Sequence, residues 1–117
     1  MQHHQLQPVL EDLTNRLRAL FPGHIKEIIL FGSFARNEFA RNEAEAGSDI
    51  DVLVLVDLSR EVIAQYIWKL GDLASELLLK YDIMVSPLIE NQNYYERFVD
   101  IIPLFRNVRK EGIAIGA

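Results

Sequence analysis

Residues 25–56 read IKEIILFGSFARNEFARNEAEAGSDIDVLVLV, and the two apolar strands inside this stretch decide the fold. Ile25 to Phe31 reads as a buried strand that Gly32-Ser33 breaks, and Asp49 to Val56 as a second strand rich in β-branched residues. Residues 38–47 between them are polar, rich in Glu and Ala, and carry no core pattern. In the second strand Asp49 and Asp51 stand two apart, so both side chains leave one face. Ile50, Val52, Val54 and Val56 point the other way and suit packing against a helix. Two carboxylates held side by side repel, and a divalent cation offsets that repulsion directly. Magnesium is commonly held by one or two carboxylates with substrate phosphates and water, which suits a nucleotide site. A lone D-x-D is equally read as two solvated acids at a strand edge. Its emergence from a buried strand close to a Gly-Ser break favours the metal reading.

Working outward, Leu10, Leu13, Leu17 and Leu20 recur at helical spacing between Pro8 and Pro22-Gly23. Ser59 is placed to cap a helix with apolar face Ile63, Tyr66, Ile67, Leu70, Leu73, Leu77 and Leu78. A third strand is expected over Asp82 to Ser86, ended by Pro87. Asp82 would bring a third carboxylate to the rim, with an ordinary acid at a strand start as the competing reading. Asn91 suits the cap of a helix carrying Tyr94, Tyr95, Phe98, Ile101 and Ile102. Pro103 interrupts it, Leu104 to Glu111 resumes, and Gly112 stops it before an edge strand at Ile113 to Ile115. These elements predict an α/β (α+β) domain with a small mixed sheet covered by helices, spanning residues 1–117 as a single unit.

Hydrophobic residues make up 50% and charged residues 25%, ordinary globular proportions that argue against disorder. The net charge of −5 disfavours duplex DNA binding, which draws on phosphate neutralisation by Lys and Arg. No cysteine is present, which excludes thiolate metal sites and fits a cytoplasmic setting. No apolar run approaches the ~18 residues of a membrane span, and MQHHQLQP does not read as a signal peptide. His3 and His4 read as a frayed terminus and His24 as surface. Trp68 and Tyr94-Tyr95 read as core or partner-facing groups. Arg106, Arg109 and Lys110 suit the end of a helix.

The turn Gly32-Ser33-Phe34-Ala35-Arg36 after a buried strand permits close backbone approach, a hydroxyl and an arginine beside an anion. GSFAR followed by GSDIDVLVLVD resembles the DNA polymerase beta-like nucleotidyltransferase superfamily, specifically its minimal branch, over essentially the whole chain. The resemblance implies that Gly32, Ser33, Arg36 and Ser48 bind the nucleotide. It implies that Asp49, Asp51 and Asp82 are the catalytic, metal-binding carboxylates of a two-metal Mg2+ site, with Asp82 as ligand or base. The implied reaction moves a nucleotide, AMP from ATP, to an acceptor. By the same resemblance that acceptor is a side chain of a HEPN-domain toxin, for which this chain is the antitoxin; a homo-oligomer is compatible with this. An idle antitoxin that neutralises by binding alone is the alternative.

Two features depart from the family pattern. Asn37 stands where Gly is usual, and Ala35-Arg36-Asn37-Glu38 repeats at Ala40-Arg41-Asn42-Glu43. Deleting one five-residue copy restores the family's spacing, which points to a tandem duplication. Five residues advance a helix by ~1.4 turns, so Arg36 and Arg41 would face different directions, with Arg41 the substitute for Arg36. The enlarged spacer would form a flap, lengthen the helix or hinder nucleotide entry.

Overall fold

The computed structural model describes residues 3–37, 43–45 and 49–116. Its order is β1 (His3–Gln5), α1 (Leu6–Leu20), β2 (Ile25–Phe31), α2 (Gly32–Asn37), β3 (Glu43–Glu45) and β4 (Asp49–Val56). Then follow α3 (Arg60–Ala64), α4 (Ile67–Tyr81), β5 (Met84–Asn91), α5 (Gln92–Phe98), α6 (Pro103–Glu111) and β6 (Ile113–Gly116). The main sheet has the order β5-β4-β2-β6. β2 runs antiparallel to both β4 and β6, while β4 and β5 are parallel. The mixed sheet follows from the connections. The segment that carries α2 and β3 brings the chain back antiparallel from β2 to β4, whereas the α3–α4 crossover returns it parallel into β5.

β4 is buried on both faces, which is why DIDVLVLV reads as a nearly unbroken apolar run after its acids. Ile50, Val52, Val54 and Val56 join a core with Leu13 and Leu17 of α1 and Leu73 and Leu77 of α4. Leu53 and Leu55 face the other way, onto Tyr95 of α5 and Phe105 and Val108 of α6. Fully buried leucines such as Leu13 and Leu17 contribute about 1.5–3 kcal/mol each. Ser59 and Asn91 cap as their types predict, accepting from the backbone N–H of Val62 and Tyr94 at 3.3 and 2.9 Å.

Several expectations are corrected. Pro87 does not end its strand, because β5 pairs with β4 alone and an edge strand tolerates a missing donor. The helix after Ser59 breaks at Gln65-Tyr66 into α3 and α4. Ile67 and Leu78 of the expected apolar face are exposed, as is Ile101. α5 ends at Phe98, and Ile102 is extended ahead of Pro103, which opens α6. Gly112 stops α6 in an extended conformation, and a Cβ there would collide with the Ile29 side chain and the Val108 carbonyl. His3 to Gln5 is not frayed: its backbone pairs antiparallel with Glu43 to Glu45, inside the spacer. α2 is described over Gly32–Asn37; residues 38–42 that follow, Arg41 among them, lie outside the described residues. His24 is a surface residue as expected, bonded to Asp57 at 2.7 Å, while Tyr95 is core.

One polar cluster fastens α1 to α4. Asp12 accepts from Arg16 Nε at 2.7 Å, from the Tyr81 hydroxyl at 2.7 Å and from Lys80 Nζ at 3.0 Å. Arg16 also pairs with Glu76. Burial pushes the Asp12 carboxyl up, but the bonds from Tyr81, Arg16 and Lys80 together win and hold it at about 2. A carboxylate with a depressed folded pKa adds stability above its unfolded value near 3.8, lost as pH falls toward about 2. With solvent screening, Asp12→Asn should cost on the order of 1 kcal/mol at neutral pH. Urea melts should show that cost shrinking between pH 4 and pH 2 (approximate limits of this titration).

Candidate active site at the rim of β4

β2 and β4 run out of register at one end, and the site forms there. Phe31, the last residue of β2, stands opposite Asp51, so Asp49 extends beyond the last β2 rung and is exposed. Across the parallel pairing, Asp49 lies opposite Met84 and Asp51 opposite Ser86. Both aspartates share the sheet face of Leu53 and Leu55, away from α1 and α4. Burial raises the Asp51 pKa, and the Asp49 charge raises it further. Two adjacent acids form a hard-oxygen donor pair whose charge calls for a cation.

Gly32 completes this corner. It has φ of +78°, and a Cβ built there would stand 2.6 Å from Asp51 Oδ2. The glycine therefore serves two ends, a left-handed turn out of β2 and room for the Asp51 carboxylate. Phe34 and Ala35 are buried and anchor the turn to the core. Ser33 and Arg36 belong to α2, directly after this corner. Ser48, one residue before Asp49, lies outside the described residues.

Asp82 stands differently from the pair. It caps the C-terminus of α4 in the left-handed region, φ 55° and ψ 39°, with its N–H donating to the Leu78 carbonyl at 2.8 Å. Asp is among the few non-glycine types that tolerate this conformation. It is exposed at the rim where β4 and β5 both begin, two residues before the rung that faces Asp49. Among the described residues no three His, Asp or Glu side chains gather as a metal cage. Ser86 and Met84, which the sequence did not single out, occupy the neighbouring positions on β5. Only strand register could have found them, and spacing along the chain does not reveal it. A hollow of about 450 Å³ between α1 and β6 includes neither aspartate. Among the described residues Asp49 is exposed and Asp51 half-buried at this rim.

A model of the nucleotidyltransferase domain family matches residues 10–110. Two putative protein adenylyltransferases of Methanocaldococcus jannaschii are similar to the chain. One is 30% identical over 106 residues, covering 91% of this chain and 93% of the relative. The other is 29% identical over 92 residues, covering 79% and 86%. Among solved structures, one similar chain comes from a complex of tri-AMPylated Shewanella oneidensis HEPN toxin with MNT antitoxin. It gives a TM-score of 0.57 at 22% identity, over 96% of this chain and 73% of that one. A toxin–antitoxin structure with AMP-PNP gives 0.57 at 23% identity, over 92% and 73%. At such identities these structures speak to the fold.

The corner predicts opposite stability effects for two substitutions. Gly32→Ala meets both a left-handed φ and Asp51, and should cost about 1–3 kcal/mol in a urea melt. Asp51→Asn should raise the urea midpoint at neutral pH, because ionising a carboxyl of raised pKa weakens the folded state. That gain should vanish in acid, where the carboxyl is protonated.

Proposed function

Because the chain belongs to the nucleotidyltransferase domain family, we propose that it transfers AMP from ATP to a side-chain hydroxyl of a HEPN-domain partner, acting as its antitoxin. The observation carrying this reading is the corner itself: Asp49 and Asp51 on one sheet face, with Gly32 packed against Asp51. The names of the relatives and the toxin complexes among the structural neighbours supply the acceptor class. A tyrosine hydroxyl is the proposed acceptor, and the cytoplasm the proposed setting. Residues 1–117 are proposed to act as one catalytic domain.

Asp49 and Asp51 fit a magnesium site, since both donors are hard oxygens whose mutual repulsion a divalent cation relieves. Mg2+ held there, as one ion or two, would neutralise the charge that builds on the triphosphate. The Gly32-Ser33 turn, with Arg36 and Ser48, is proposed to seat the phosphates. Asp82, at the same rim, is proposed to take the acceptor's proton. The acceptor oxygen forms a bond to the α-phosphorus as the bond from that phosphorus to the bridging oxygen breaks. Pyrophosphate leaves with that bond's electron pair.

Incubation with α-phosphate-labelled ATP, Mg2+ and the HEPN partner tests this reading. Label should pass to the partner, and Asp49→Ala or Asp51→Ala should reduce transfer at least ~100-fold. Partner binding and neutralisation without any transfer by the parent chain would instead identify an antitoxin that works by binding alone. Asn37 and the enlarged spacer are the features that give this second reading its weight.

A further inference from the structure

The outward face of α4 is the least explained surface of the molecule. Leu73 and Leu77 point inward, yet the opposite side carries Trp68 at 84% exposure, Leu79 at 87% and Ile67 at 67%. Helical spacing sorts this side into two rows. One is Ile67, Gly71, Ala74 and Leu78; the other is Trp68, Asp72, Ser75 and Leu79. Each row begins and ends on a large apolar residue and has short side chains between. Ile67, Trp68, Leu78 and Leu79 together expose roughly 500 Å², near the upper end of the largest patch on an ordinary monomer.

We propose that this face is the interface of a homodimer, formed by antiparallel packing of α4 on α4 of a second copy about a two-fold axis near Leu73. The distribution along the helix carries the choice of occupant. A two-fold contact must be self-complementary. Reversing α4 about Leu73 sets Ile67 and Trp68 over Leu79 and Leu78 of the second copy. Gly71, Ala74 and Ser75 fall in the middle, where short side chains let the helix axes approach. Lys69 and Glu76 lie on the α1 flank of α4, where Glu76 pairs with Arg16, and take no part in the contact. With its polar margins the face approaches the ~800 Å² per partner of a standard interface. Pro87 lacks a donor in the middle of the open β5 edge, which disfavours the rival route of joining two sheets edge to edge.

α4 covers the sheet face opposite Asp49 and Asp51, so a dimer built this way leaves both rims open. The inference does not rest on the proposed transfer reaction.

Trp68 is the only tryptophan, so the full chain carries its own probe. Sedimentation velocity from low to high micromolar concentration should show monomer passing to dimer. Trp68 emission should move to the red on dilution with the same midpoint. Trp68→Glu and Leu79→Glu, both at exposed positions, should keep the parent's circular dichroism and weaken dimerisation at least about tenfold. A chain that stays monomeric throughout, or a dimer indifferent to both variants, overturns the proposal. So does a monomeric parent whose capture of a HEPN partner is lost in Trp68→Glu, an outcome that assigns the face to that partner.

Discussion

The double burial of β4 is the constraint on which the rest depends. A strand covered on both faces cannot carry charge along its length without large desolvation cost. Its two aspartates are therefore confined to the end that projects past β2. There they face water on one side and each other on the other, and the raised Asp51 pKa records that compromise. The hydrophobic core thus does more than stabilise the domain. It sets where a cation site can exist and how strongly that site calls for one.

The same core determines which surfaces remain for partners. α1 and α4 cover one face of the sheet and are fastened to each other through Asp12, Arg16, Lys80 and Tyr81. α5 and α6 cover the other face at Leu53 and Leu55 rather than at the rim. The carboxylates and the apolar outer side of α4 therefore lie on opposite sides of the sheet. An arrangement of this kind lets self-association and engagement of an acceptor proceed without competing for one surface.

The structure departs from the sequence expectation at Pro87, Ile67 and Leu78 through segments far apart in the chain, and at Asp82 through a local helix cap. Pro87 read as a stop because proline cannot donate to a ladder, but an edge strand has a side where no donor is needed. Ile67 and Leu78 read as core because their spacing is helical. Periodicity assigns a face to a helix without saying how wide a strip the neighbours cover. Asp82 reads as the first residue of a strand, and it caps α4 instead, two residues before that strand begins. That helix has no glycine at its end, and Asp accepts the left-handed turn.

The chain alone determined β2, β4, the capping residues Ser59 and Asn91, and the corner of Gly32, Asp49 and Asp51. Each of these depends on local chemistry: an apolar run, a side chain that bonds two or three residues on, a glycine where the backbone must turn. Tertiary structure decided that Ser86 lies opposite Asp51. It also decided that the spacer pairs with the N-terminal segment, and that α4 keeps an apolar side in water. Strand register and helix coverage come from segments meeting in space, and no spacing along the chain encodes them.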